Sequence, residues 1–402
     1  MKKHLLTIQM LLLMSGAFAQ TGTWTAKASL TFKIMTHTGF SLAGKGYVCG
    51  GIDGFGTDLK ELWQYDPGSN SWSQKADLPG DARRELSSFT IDSFAYVGHG
   101  RNVNSTEIFF SFYRYNPRTN AWSAIADCPV QRYTSTGFSI DSVGYVTCGI
   151  LPGVARYKDL YAYNPRTNVW SQKASLPSSA LNRSYACVVS VNHKAYLMGG
   201  FEGQHMEDMY EYNPGSNTWT QKANFPGGKR NAVAGFALGD YVLMGMGRNG
   251  SNTTFKDWYY YNPADNTWTA MNDYPADNSA GNATFVINGK GYVCGGNSLP
   301  GSAKEYLYEL SAPQLSIEAN VSDARKLKLF KPEGSSVLHC MAYAGKVSVS
   351  VYDVNGRMVY SSSMLSDAEQ EVLFPMDELS AGQYTAYVNN AGLTATLKLI
   401  LN

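Results

Sequence analysis

Four arginines recur at one position of this chain: Arg83, Arg132, Arg183 and Arg230, separated by 49, 51 and 47 residues. A guanidinium presents a planar fork of donors that matches a carboxylate, so a row of them points to an anion-binding arc. The corresponding positions beyond the row are Ile34 and Ser279, which leaves the arc open on one side. The competing reading is internal: hydrogen bonds between neighbouring repeats and packing of the arginine stems. A second series is acidic, Glu61, Asp159, Asp208, Asp257 and Glu305, and its regularity speaks for anchoring loop backbone rather than for catalysis. Glu85, Glu202 and Glu207 are less regular and make better acidic candidates for ligand contact. The expected ligand-binding set is Arg83, Arg132, Arg183, Arg230, Glu202 and Glu207. No nucleophile stands in a recognisable pairing with a base, so no catalytic residue is assigned. His37, His99, His193 and His205 show no metal spacing, and neither a metal nor another cofactor is expected.

The positions that carry these residues are set by a repeat. "YNPRTNVWSQKASLP" from Tyr163 recurs as "YDPGSNSWSQKADLP" from Tyr65, "YNPRTNAWSAIADCP" from Tyr115, "YNPGSNTWTQKANFP" from Tyr212 and "YNPADNTWTAMNDYP" from Tyr261. Trp24, Trp72, Trp122, Trp170, Trp219 and Trp268 follow one another at spacings of 48, 50, 48, 49 and 49. Within each period an alternating segment such as "TGFSLAG" leads to "KGYVCGG", then a variable loop, then "ELWQYDP", a tight turn and "SWSQKADLP". That is four short strands, with Pro and Asn supplying the turn. The glycine pair is intact at Gly50-Gly51, Gly199-Gly200 and Gly295-Gly296, and altered to His99-Gly100, Cys148-Gly149 and Gly245-Met246-Gly247.

These features, recurring together in register from about Thr23 to Ser311, resemble kelch repeats. The resemblance implies an all-β fold, a six-bladed kelch β-propeller whose blades each hold four strands. The strand around Trp24 precedes the first full unit and the last unit lacks its fourth strand, so Trp24 is expected to complete the sixth blade. The repeated motif then carries architecture, with its Tyr and Trp packing blade to blade. Function is expected where the copies differ, on the b–c loops of one face, such as "GGIDGFGTDLK", "HGRNVNSTEIF" and "GGFEGQHMED".

The chain opens with Lys2 and Lys3, an apolar run from Leu5 to Met14, and Ala17-Phe18-Ala19. This is the pattern of a secretory signal peptide, residues 1–19, and its apolar run is too short to span a bilayer. No membrane-spanning segment is expected. The chain holds 33 Lys and Arg, two of them in this leader, against 32 Asp and Glu. A near-neutral protein has no general attraction for nucleic acid, and none is expected as a partner. Cys49, Cys128, Cys148 and Cys294 occupy positions held by apolar or small residues in sister repeats, so they read as buried thiols rather than disulfides.

After Ser311 the period stops. A linker, 312–326, leads to a domain expected at 327–402, the propeller being expected over 20–311. "VSVSVYDVNGRMVYSSS" alternates on both sides of Asn355-Gly356, a hairpin signal, and the size fits a small C-terminal β-sandwich. "VYDVNGRMVY", then Leu379, Gly382 and Tyr384 in "LSAGQYTAYV", and Lys398 resemble the C-terminal sorting domain of the type IX secretion system of Bacteroidetes. That resemblance implies the type IX machinery as a partner. It also implies delivery through the periplasm and outer membrane to the cell surface or the medium. The leading functional expectation is an exported binding module for a glycan or protein ligand on the b–c loop face, without catalysis. The alternative, implied by resemblance to the N-acetylneuraminate epimerase propellers, is an epimerase or mutarotase acting on a carboxylated sugar.

Overall fold

Alternation of burial explains the strands. In Cys187–Val191, Cys187, Val189 and Val191 are buried while Val188 and Ser190 are half-exposed. The next strand, Lys194–Met198, is buried along nearly its whole length. The computed structural model describes residues 22–102, 106–298, 302–312 and 315, and beyond them 328–330, 337–342, 345–353, 358–366, 370–376, 379–380, 382–390 and 393–401. The expected leader, 1–19, lies outside the described residues. The chain divides into two units, Met1–Ile317 and Glu318–Asn402.

The first unit is a six-bladed propeller. Its fourth blade shows the plan: Cys187–Val191, Lys194–Met198, Met209–Asn213 and Thr218–Lys222 pair in sequence order as an antiparallel meander, here strands a to d. Six such blades occur among the described residues. The sixth takes its d strand from the other end of the chain. Thr23–Lys27 pairs with Leu307–Ser311, with Trp24 opposite Leu310. This is the closure expected from the phase of the tryptophans.

The repeated motif proves to be a latch between blades. The Asn168 carboxamide oxygen accepts the Tyr163 hydroxyl at 2.9 Å and the Ala126 N–H of the preceding blade at 2.8 Å. Two residues on, the Trp170 indole N–H donates to the Ala126 carbonyl at 2.8 Å. Asn70, Asn120, Asn217 and Asn266 repeat the first arrangement, and Trp72, Trp122, Trp219 and Trp268 the second. All five asparagines adopt left-handed backbone, φ 49° to 59°, which asparagine tolerates better than most residues.

The uneven loss of the glycine pair has a backbone cause. Its first member sits near the left-handed minimum, where His99 (φ 55°), Cys148 (φ 62°) and Met246 (φ 62°) stand in for glycine. The second member, at φ 95° in Gly100 and 97° in Gly149, lies outside the region an L side chain adopts. A Cβ on Gly149 would also stand 2.9 Å from the Tyr133 carbonyl oxygen. Cys49, Cys128, Cys148, Cys187 and Cys294 are buried free thiols.

In the second unit, Lys328–Phe330, Val337–Ala342 and Gln370–Pro375 form one sheet. Met358–Ser366, Gly345–Asp353, Gly382–Asn390 and Leu393–Leu401 form another, in that order. Leu338 and Phe374 of the first share a core with Val347, Val349, Val351, Ala386 and Val388 of the second. The expected hairpin is present as the pairing of Gly345–Asp353 with Met358–Ser366, and its turn lies outside the described residues.

Ring closure makes a direct prediction. Deleting residues 20–30 removes five ladder pairs and the half-buried Trp24 ring, whose burial alone contributes ~2 kcal/mol. The shortened propeller is expected to melt about 10 °C or more below the parent in calorimetry, since a domain of this size loses roughly 2–4 °C per kcal/mol. An unchanged melting temperature contradicts the closure.

Candidate binding site at the channel mouth

Each blade enters its first strand through one residue of left-handed backbone: Thr36, Glu85, Thr134, Tyr185, Ala232 and Gly281, with φ between 52° and 66°. Their backbones form a closed ring. Glu85 N–H donates to Thr36 O (2.8 Å), Thr134 to Glu85 (3.1 Å), Tyr185 to Thr134 (3.1 Å), Ala232 to Tyr185 (3.0 Å), Gly281 to Ala232 (3.1 Å) and Thr36 to Gly281 (3.3 Å). These six residues, with His37, Leu86, Ala186, Val233 and Asn282, line a cavity of about 150 Å³ at the mouth of the central channel. The channel below it, about 450 Å³, is walled by the innermost strands of all six blades and shares His37, Leu86, Ala186, Val233 and Asn282 with the mouth. The ring lies on the face of the long b–c loops. The residue after each glycine pair bridges the residue before each ring position, as in Arg84 with Arg101 and Asn231 with Arg248.

The ring is uniform in backbone and varied in side chain. Across it, the Tyr185 hydroxyl donates to the Glu85 carboxylate, and Arg101 Nε donates to the other Glu85 oxygen at 2.5 Å. Glu85 is only 7% exposed. Burial, then the neighbouring carboxylate, holds the Tyr185 phenol well above its ordinary pKa, so it remains a proton donor. Burial opposes the charge on Arg101, but the Glu85 carboxylate prevails and raises its pKa. The Arg101 guanidinium also lies 4.3 Å from the centre of the Tyr133 ring. Arg248, in the blade opposite Arg101, makes no side-chain hydrogen bond or ion pair among the described residues, and its charge is felt by Tyr185 and His205. Burial, followed by Arg248, lowers the pKa of His205. His37 is buried with neither ring nitrogen hydrogen-bonded, and burial lowers its pKa to about 3.

The arginine arc is corrected by the structure. Arg132 and Arg183 are 0% exposed, and Arg83 and Arg230 are 1% exposed. Arg132 places Nη1 and Nη2 at 2.6 and 2.9 Å from the two oxygens of Asp159, and Nη1 also donates to the Cys148 carbonyl. Arg183 grips Asp208 at 2.7 and 3.0 Å, and Arg230 grips Asp257 at 2.7 and 3.2 Å. Arg83 bonds Ser111 Oγ at 3.0 Å and stacks 3.7 Å above the Phe109 ring. All four are buried and held by the chain itself, so no face is presented to a ligand carboxylate. Asp159, Asp208 and Asp257 of the acidic series are the other half of three of these clamps. In the sixth blade its place belongs to Tyr306, whose carbonyl accepts the Gly295 N–H as that of Asp208 accepts Gly199, so Glu305 falls one residue off the series.

Of the other candidates, Glu202 stands on the b–c face in an ion pair with Arg156 (3.4 Å), whose guanidinium covers the Phe201 ring. Glu207 does not reach the mouth: its carbonyl accepts the Phe225 N–H, the position of Lys60, Lys158 and Lys256 in sister blades. Tyr185, Arg101, Arg248 and His37 are not singled out by the sequence. The signal for the first three lay in two columns of the repeat, two residues after the arginines and one after the glycine pair. Among the described residues no cluster of three or more His, Cys, Asp or Glu is placed to hold a metal ion.

Residues 85–296, more than half of the chain, match the KLHDC2/KLHL20/DRC7 Kelch-repeats domain. The chain belongs to the kelch-repeat family. Residues 38–79 of this kelch propeller match the Kelch motif, and residues 334–402 match the Secretion system C-terminal sorting domain. No curated protein matches the sequence significantly. Among solved structures, YjhT superposes with a TM-score of 0.60 at 18% identity, covering 70% of this chain and 96% of that one, which shows a shared fold. No helix among the described residues is long and apolar enough to cross a membrane.

The mouth histidine of the kelch propeller predicts a pH response. His37 stays neutral in the fold down to about pH 3, whereas the unfolded chain takes up a proton near the ordinary value of 6.5. The unfolded state therefore binds more protons between these values, and stability falls as pH falls through that window. At pH 5 the loss from this one residue is about 2 kcal/mol. His37→Gln is expected to flatten the decline of melting temperature between pH 6.5 and 5; an identical slope in the variant contradicts the assignment.

Proposed function

We propose that this protein is an exported kelch propeller that binds a glycan at the channel mouth of its long-loop face. The observation that carries the reading is the polar cluster Glu85–Tyr185–Arg101, with the unpaired Arg248 opposite, set in a ring whose backbone is uniform and whose side chains vary. The oxygens of the Glu85–Tyr185 pair offer acceptors to sugar hydroxyls, and the Arg248 guanidinium offers donors. Arg248 and the Arg156–Glu202 pair at the rim favour a ligand with an acidic substituent. Export through the type IX pathway, to the cell surface or the medium, is supported by the sorting-domain match at 334–402 and the leader-like N-terminus. We place the expected boundaries, 20–311 and 327–402, as the propeller and the sorting domain of that route.

A second reading is favoured by one contact. A protonated Tyr185 bonded to the Glu85 carboxylate joins an acid to a base at one site. In a mutarotase the base takes the proton of the anomeric hydroxyl. The acid gives a proton to the ring oxygen as the ring bond breaks, and reclosure reverses both transfers.

One experiment separates the readings. The full chain is screened on a glycan array containing neutral and sialylated glycans, and anomer exchange of N-acetylneuraminate is followed by NMR. Saturable glycan binding without enhanced exchange supports the binding module. In that case Arg248→Ala is expected to weaken an acidic ligand by about ten- to a hundred-fold, the worth of a charge-assisted bond. Enhanced exchange that Glu85→Gln abolishes supports the mutarotase. Neither binding nor exchange overturns the site.

A further inference from the structure

The arginine clamp is broken in one blade in a way that leaves the acid standing. Blade by blade, the pairs are Arg132–Asp159, Arg183–Asp208 and Arg230–Asp257, while the second blade pairs Arg83 with Ser111. The sixth blade has Ser279 and Tyr306, so no charge is left over. The first blade keeps the acid, Glu61, but holds Ile34 where the arginine belongs. The equivalence is fixed by backbone bonds: Ile34 N–H donates to Lys304 O as Arg83 does to Leu59, Arg183 to Tyr157 and Arg230 to Met206.

Beside Glu61 lies a cavity of about 530 Å³, lined by Phe32, Phe55, Leu59, Glu61, Trp63 and Gln74, with Thr31, Lys33, Asp53 and Gly54 completing it. In the third blade the guanidinium lies between Asp159 and the rings of Tyr157 (4.6 Å) and Tyr161 (5.7 Å). Leu59, Glu61 and Trp63 are the first-blade counterparts of Tyr157, Asp159 and Tyr161, and all three line the cavity. The Trp63 ring, 5.4 Å from that of Phe32, supplies a stronger cation-binding face than tyrosine. Glu61 accepts the Lys60 N–H at 3.0 Å but has no ion pair among the described residues. Two carboxylates, Glu61 and Asp53, face one ammonium, that of the exposed Lys33, so the lining is acidic on balance. Phe55 is 96% exposed at the rim, an apolar side chain placed for an incoming stem.

We infer that this first-blade cavity binds a guanidinium delivered in trans, the arginine side chain of a partner polypeptide. The sister blades display the ligand already in place: planar, charged, gripped by an acid and stacked on rings. A neutral sugar would use the rings but not the position of the acid, and a lysine would offer the charge without the fork. The inference is independent of the mouth site, which lies among other residues.

The test uses the full chain and three probes, acetyl-Gly-Arg-Gly-amide and its lysine and citrulline counterparts, with binding followed by NMR titration. The arginine peptide is expected to bind saturably, with citrulline at least ten-fold weaker and lysine in between. Glu61→Gln is expected to weaken the arginine peptide about ten-fold. Ile34→Arg restores the clamp in cis, so it is expected to abolish peptide binding and raise the melting temperature. No saturable binding to the parent, equal binding of citrulline, unchanged affinity in Glu61→Gln, or undiminished binding by a folded Ile34→Arg each overturns the inference.

Discussion

Six backbone hydrogen bonds that close on themselves hold the mouth of the channel, and the cluster proposed as the glycan site hangs from them. Each joins one blade to the next two residues before its innermost strand, from Thr36 through Glu85, Thr134, Tyr185 and Ala232 to Gly281 and back. The ring is not a source of net stability. A hydrogen bond contributes about 1 kcal/mol, and the left-handed backbone of five residues that are not glycine costs about 1–2 kcal/mol each. Gain and cost are of the same size. Stability comes instead from the blade cores and the Tyr–Asn–Trp latches on the outer strands, which force the ring shut. Positions held in strain by their surroundings cluster at functional sites.

That division separates architecture from site. Columns of the repeat that keep one chemistry make blade-to-blade contacts or buried clamps. In the Arg132–Asp159 pair and its sisters a buried guanidinium is gripped by a carboxylate 15–28% exposed, so removing the acid strands a buried charge. Columns that change chemistry face the mouth. Glu85 and Tyr185 occupy the same column as Ala232 and Gly281, and this assortment brings an acid and a phenol together across the opening.

The fold is legible in the sequence because its determinants are local and periodic. Alternation marks strands, Asn and Pro mark the turn, and the phase of Trp24 gives the closure. The arginines are legible as a column, but not as a clamp, because spacing says nothing of where a long side chain points. The signal for their true role was present: Asp159 and Asp257 each stand 27 residues after their arginines, and Asp208 stands 25 after Arg183. Two regular series of opposite charge at a nearly constant offset are each other's partners. Glu85 stands out as irregular, whereas Tyr185 and Arg101 do not, since a variable column carries no pattern and its members meet only when the ring is closed. The glycine pair likewise reads as a fold signature, and that the next residue lands on the rim depends on the φ of its second member.

Native-state hydrogen exchange at the amides of Thr36, Glu85, Thr134, Tyr185, Ala232 and Gly281 tests the account most directly. If the ring is a single closed constraint, all six exchange slowly and with one common opening free energy, the glycine included, and deleting the Trp24 strand lowers the six together. Fast or scattered exchange among them, or loss of protection confined to the first and sixth blades in the deletion variant, would contradict a rigid mouth and with it the site built upon it.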